Sequence, residues 1–138
     1  MTKLEDIDSI IAIFKKYECP LMLMHTVSTY PSELHHLNLK CINTLSQRYK
    51  HPVGYSGHEA SVSPSVIAAT LGASAIERHI TLDRAMYGSD QAASLQPEGF
   101  RQLNSILRKI PSILGDGEKR ILEEEELIAN KLRYWLDK

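Results

Sequence analysis

His58 and His79 are 21 residues apart, and each closes a short apolar segment bounded by a turn. The first stands in PVGYSGHE (52–59) and the second in AIERHITLD (75–83). Imidazole nitrogens are common ligands of divalent metals. If the two segments are neighbouring strands of a parallel sheet, both rings leave the same edge and can share one ion. The residues between them are enough for the single helical crossover that parallel pairing needs. Taken singly, a histidine in a strand is more often a hydrogen-bonded structural residue, so it is the pair that carries the metal reading. Other polar side chains gather at the same kind of place. His25, Ser28 and Tyr30 follow an earlier apolar run, Ser56 precedes His58, and Glu77 precedes His79. In parallel α/β sheets and barrels this carboxyl edge is where ligands bind. Strand alternation puts Glu77 and His79 on one face with Arg78 on the other, and gives Ser56 and His58 a common parity.

The elements that must position these groups follow from periodicity. Leu4, Ile7, Ile10, Ile11 and Phe14 recur at helical spacing, which predicts a helix over 3–16. PLMLMHTVSTYP carries a continuous apolar core, Leu21 to Met24, as a strand covered on both faces would. Leu34, Leu37, Cys41, Ile42 and Leu45 predict a helix running to about Tyr49, and a second strand then ends near Ser56. Ser63-Pro64 is a helix start and Gly72 its left-handed stop. A third strand is expected over 75–80, a helix over 96–110 and, past Gly115-Asp116-Gly117, a helix from about Glu118 to Trp135. Its acidic run Glu123 to Glu126 reads as a solvated face. The two glycines lack a preceding strand and a third glycine, which excludes a dinucleotide loop.

Alternating helices and strands mean parallel strands joined by right-handed crossovers. Three strands are too few for a closed barrel and leave sheet edges and apolar helix faces exposed, which points either to a fragment or to a chain that completes itself by association. With 138 residues, 24% charged and a net charge of −1, the chain has room for one substantial core and no broad basic face for nucleic acid. A small polar substrate suits that balance. Cys19 and Cys41 lack disulfide or zinc spacing and read as buried thiols of a reducing compartment. No apolar run is long enough to span a membrane, and the charged opening TKLEDID is unlike a signal peptide. A cytoplasmic location is expected.

The strings HTVSTYP (25–31), GYSGHE (54–59), IERHITLD (76–83) and GSDQAASL (88–95) stand in one order and spacing. Together they closely resemble the N-acetylneuraminate (sialic acid) synthase family, over roughly Thr2 to Arg133. The resemblance implies the C-terminal portion of a (β/α)8 TIM barrel, strands six to eight, over 1–115. Residues 116–138 would form a C-terminal helix, without the small antifreeze-like domain of the family. It also implies condensation of phosphoenolpyruvate with N-acetylmannosamine or a related N-acetylated hexosamine, releasing phosphate. By the same likeness His58 and His79 are the metal ligands. Two imidazoles leave open positions for water and substrate, which suits Mn²⁺ or Mg²⁺ as a Lewis acid better than a closed structural zinc. Glu77 matches an acidic residue that orients water or moves a proton, Ser56 a phosphate-binding serine, and Ser28, Tyr30 and Asp90 substrate-holding positions, with Tyr30 and Asp90 also counted as catalytic.

The sequence departs from that pattern in places. Many bacterial members carry asparagine at position 28, aspartate at 57 and histidine at 91, where this chain has Ser28, Gly57 and Gln91. The upstream strands that bring the family's phosphoenolpyruvate-clamping lysines have no counterpart, so a truncated reading frame or an internal start is expected. Ser56 alone, Tyr30 beside Pro31, and Asp90 in a Gly-Ser-Asp turn each have ordinary structural readings as well. Activity then requires a homo-oligomer or association with the missing barrel half. The alternative function is a non-catalytic half-barrel or association module.

Overall fold

The computed structural model describes residues 1–133 and 135. Helix α1 (Leu4–Lys16) places Glu5 and Asp6 in its first turn and Lys15 and Lys16 in its last, complementing the helix dipole at both ends. Strand β1 (Leu23–Thr26), helix α2 (Cys41–Tyr49), strand β2 (Val53–Gly57), helix α3 (Ser63–Thr70) and strand β3 (Ile76–Arg78) follow in alternation. The strands form one open parallel sheet in the order β1-β2-β3. Helices α4 (Pro97–Leu107), α5 (Ile110–Leu114) and α6 (Glu123–Leu132) complete the described chain. Among the described residues no helix is long and apolar enough to cross a membrane.

The core lies on one face of this sheet. Ile42 and Leu45 of α2 and Ala68 of α3 pack on Val53 and Tyr55 of β2. Burying each large aliphatic side chain there contributes about 1.5–3 kcal/mol. Because side chains alternate along a strand, Val53 and Tyr55 toward the helices means Gly54 and Ser56 away from them. His25, in register with Tyr55, also serves the helical side: its Nε2 lies 2.7 Å from the Leu37 carbonyl and its ring stacks with Tyr55 at 6.2 Å. It is therefore a packed residue, not a member of the opposite face.

Under the helices runs a buried polar line. Arg78 and Glu59 form an ion pair at 3.1 Å with side chains 2% and 1% exposed, and the Tyr55 hydroxyl donates to Glu59 Oε2 at 2.8 Å. Removing one partner of such a pair costs about 3–5 kcal/mol, because the other charge is left buried alone.

Several boundaries differ from the sequence expectations, each for a local reason. The stripe from Leu34 to Tyr49 is not one helix: a 3₁₀ turn at Leu34–His36 is separated from α2 by Asn38 at φ 42°. Asparagine tolerates that left-handed conformation, and Leu37 stays buried although the helix breaks around it. The third strand stops at Arg78, since His79 and Thr81 pair with Leu95 instead, through Leu95 N–H to the His79 carbonyl (2.8 Å) and Thr81 N–H to the Leu95 carbonyl (2.9 Å). The helix expected over 96–110 ends at Leu107, and Ile110-Pro111 starts α5, as proline favours a first turn. Ser63 is the first residue of α3 and not its cap: Val62 takes the cap position without a side-chain cap bond, and Ser61 Oγ accepts from Ser63 N–H at 3.2 Å. Gly72 does close that segment, at φ 95°. Cys19 is exposed in the turn after α1 and Cys41 is half-buried at the start of α2, so neither is a fully buried thiol. The last helix occupies Glu123–Leu132 with Glu123 to Glu126 exposed in its first turn. Its expected continuation to Trp135 passes through position 134, outside the described residues.

Candidate functional site

Thr26, Ser56 and Glu77 are in register across the three strands, so they form a row on the face away from the helices. Ser56, 6% exposed, donates its hydroxyl to Glu77 Oε1 at 2.7 Å. One residue past the last rung of the β2–β3 ladder, Gly57 with Arg78, stand His58 and His79. The structure brings the two imidazoles together, with ring centroids 5.1 Å apart and planes at 78°.

His58 is 5% exposed, and its Nδ1 lies 2.8 Å from the Val27 carbonyl. A carbonyl only accepts, so Nδ1 carries a proton, and in the neutral ring Nε2 is the nitrogen with the lone pair. That Nε2 faces the Tyr30 hydroxyl at 3.3 Å and the Ser56 hydroxyl at 3.4 Å, while Thr26 Oγ1 sits 3.5 Å from Nδ1. The Tyr30 ring stacks on His58 (4.2 Å, 30°) and meets His79 edge-on (5.6 Å, 73°). His79 Nδ1 lies 3.6 Å from Asp90 Oδ2, with both side chains partly open to solvent. Asp90 also heads the 3₁₀ turn Gln91–Ala93, so its turn role and its place beside His79 coexist.

Tyr30, Ser56, His58, Glu77, His79 and Asp90 are thus one cluster. Ser28 lines a cavity of about 570 Å³ beside β1 with Leu4, Ile7, Met24 and Leu45, and the same cavity is lined by Thr26 and Val27, the neighbours of His58 Nδ1. Residues not singled out from the sequence also take part. The Val27 carbonyl orients His58, and no side-chain signature could reveal it; Thr26 lies within the HTVSTYP string and could have been found by its register with Ser56. Arg78 and Glu59, each next to a histidine, face the helices. Burial pushes the Tyr55 phenol up, and the hydrogen bond to Glu59 adds to this; burial lowers Arg78, against the pull of Glu59.

As a metal site the cluster offers two nitrogens and no more. Among the described residues no group of three or more His, Cys, Asp or Glu side chains converges. The ring separation fits imidazoles sharing an ion through bonds of about 2.1 Å. A cation held this way completes its shell with water or substrate oxygens, which hydrated, oxygen-seeking ions accept.

Comparison with known proteins follows the same residues. The model of the NeuB family matches residues 1–119, which include every member of the cluster. The chain is 37% identical over 113 residues to the N,N'-diacetyllegionaminic acid synthase of Campylobacter jejuni, covering 82% of this chain and 34% of that protein. It is 34% identical over 133 residues to the human N-acetylneuraminate-9-phosphate synthase, covering 96% of this chain and 37% of that one. The crystal structure of the N-acetylneuraminic acid (sialic acid) synthetase of Leptospira borgpetersenii in complex with citrate superposes with a TM-score of 0.82 at 34% identity, over 96% of this chain and 48% of that chain. The chain therefore spans between a third and a half of the length of these relatives. Its three parallel strands with flanking helices are part of the barrel architecture those relatives share. On the match over residues 1–119 and these identities, the chain belongs to the NeuB family.

Proposed function

We propose that this chain supplies one wall of a synthase site that joins phosphoenolpyruvate to N-acetylmannosamine or a related N-acetylated hexosamine. In the reaction C3 of phosphoenolpyruvate bonds to the sugar's aldehyde carbon, water adds at C2, and the bond from C2 to the phosphate oxygen breaks. The observation that carries the reading is the pair His58 and His79, 5.1 Å apart at the carboxyl ends of adjacent parallel strands, with His58 Nε2 freed by the Val27 carbonyl. The likeness to an N,N'-diacetyllegionaminic acid synthase and an N-acetylneuraminate-9-phosphate synthase supports it.

Bound between His58 and His79, Mn²⁺ or Mg²⁺ would supply Lewis acidity toward the aldehyde oxygen. The protein's own groups do the rest. Val27 fixes the His58 tautomer, as a partner on the far nitrogen does for metal-binding histidines generally. Glu77 accepts the hydrogen bond of Ser56 and would act as the base toward the water that adds at C2. The Ser56 hydroxyl can turn from Glu77 to a phosphate oxygen. Tyr30 covers His58 with its ring and brings its hydroxyl to His58 Nε2, where it would meet the substrate, and Asp90, beside His79, would contact the sugar. Ser28, in the adjoining cavity, would hold whatever part of the substrate extends there.

The test is Mn²⁺ titration of the full chain, followed by the loss of the free-ion resonance signal. The native sequence binds, and His58→Ala and His79→Ala each lose binding while keeping the native circular dichroism. A double variant that still binds Mn²⁺ like the native chain would overturn the metal assignment. A second reading, an association module without turnover of its own, is favoured by the exposed methionines of the first strand region, Met22 (47%) and Met24 (37%).

A further inference from the structure

We propose that Arg78 and Glu59 form a positioning brace that sets the separation of His58 and His79 from the opposite face of the sheet. This rests on the reading that the two imidazoles act as one binding wall. The backbone ladder between β2 and β3 ends at Gly57 and Arg78, so both histidines lie beyond its last rung. Past that rung Leu95 N–H bonds the His79 carbonyl and Ser32 N–H the His58 carbonyl, and neither bond ties the backbone of one histidine to that of the other. Arg78 immediately precedes His79, and Glu59 immediately follows His58. Alternation sends both to the helical side, where the Arg78 guanidinium meets the Glu59 carboxylate at 3.1 Å. The same guanidinium donates to the Glu59 carbonyl, to the Ser61 carbonyl at 2.9 Å and to Ser65 Oγ at 3.1 Å. One side chain of β3 thus grips the backbone leaving β2 within one residue of His58. Glu59 closes the loop by accepting the Tyr55 hydroxyl, which returns the grip to β2 itself.

Two further observations separate a brace from a stabilising pair. Glu59 Oε1 has the Arg78 ion-pair contact as its polar partner and Arg78 Nε is buried with none, and a buried ion pair is a poor source of stability compared with apolar residues of the same volume. What it does supply is direction. Gly57 is also shaped to it: a Cβ there would lie 2.9 Å from both Glu59 carboxylate oxygens and 2.9 Å from the Tyr55 ring. The absence of a side chain at 57 lets the carboxylate fold beneath the strand end and reach Arg78.

The experiment compares Arg78→Met, Arg78→Lys, Glu59→Gln and Gly57→Ala with Leu103→Ala, a core truncation in α4 that serves as a stability control. Mn²⁺ affinity is measured in the full chain at a temperature where circular dichroism shows each folded. Arg78→Met, Glu59→Gln and Gly57→Ala should weaken binding about ten- to hundredfold, as loss of an orienting partner does. Arg78→Lys should recover part of it, and Leu103→Ala should leave it at the native value despite a lower Tm. Glu59→Gln keeps volume and the Tyr55 contact, so it reports even where Arg78→Met fails to fold. Folded brace variants with native affinity would overturn the proposal. A second readout needs no metal: nuclear Overhauser contacts between the His58 and His79 rings, present in the native chain, should weaken in the brace variants and persist in Leu103→Ala. If the native chain binds no Mn²⁺, the metal reading fails and these ring contacts still decide the brace, which their persistence in the variants would refute.

Discussion

The Val27 carbonyl has no side-chain chemistry to offer, yet at 2.8 Å from Nδ1 it decides which nitrogen of His58 is free. Tyr55 makes the same point from the other face, where its hydroxyl is spent on Glu59 and its ring on the core. Burial keeps this phenol protonated beyond its ordinary range, and the Glu59 hydrogen bond reinforces that. Above about pH 10 the unfolded chain releases this proton while the folded one retains it, so stability falls as pH rises from there toward the folded-state value. Urea unfolding followed across the alkaline range should show that slope. Tyr55→Phe, less stable at neutral pH because a Glu59 oxygen loses its donor, should flatten it, and an unchanged slope would contradict the assignment. At this scale the sequence displayed which residue types were present and their parity along each strand. Carbonyl partners and the Tyr55–Glu59–Arg78 contact were hidden because they join residues through space.

Helices and strands were legible wherever periodicity ran uninterrupted, as in α1 and β2. Ends were misplaced where one residue's backbone preference overrode the stripe. Asn38 divides an apolar stripe in which Leu37 is still buried and Ile42 and Leu45 belong to one core. Left-handed positions at helix ends give a paired prediction of opposite sign. Gly72 follows α3 at φ 95° with nothing within 4 Å of a built Cβ, so Gly72→Ala tests backbone strain alone. It should lower stability by about 1 kcal/mol. Lys50 ends α2 at φ 57° without the freedom of glycine, and Lys50→Gly should raise stability by up to about 1 kcal/mol. Denaturant unfolding of both variants measures the difference, and shifts of the same sign would show that strain at the caps is not what is being read.

As a whole, the described chain is a three-stranded open sheet with α2 and α3 packed on one face and a candidate site along its carboxyl edge. The face away from the helices carries Glu77 and the exposed Met24, a surface that closed barrels fill with layers of side chains from other strands. One wall of this kind can hold a cation and orient one side of a substrate, but a two-substrate condensation needs groups on the facing side too. The chain alone is therefore expected to release no phosphate from phosphoenolpyruvate plus N-acetylmannosamine. Supplying the preceding barrel strands of a relative as a second polypeptide should restore release, in a manner abolished by His79→Ala. Turnover by the chain alone would show that the described wall is sufficient.

The sequence by itself determined the alternation of helices and strands, the strand-end location of the polar groups and the family, because apolar period, turn residues and short strings are local properties. Only the tertiary structure decided that His58 and His79 face each other at 5.1 Å, that Ser28 lines a cavity shared with Leu4 and Ile7 of α1, and that His25 belongs to the core side. The physical reason is register. Parallel strands far apart in sequence choose which residues stand side by side through helix packing and crossover length, and a shift of one residue would have sent every one of these side chains to the other face.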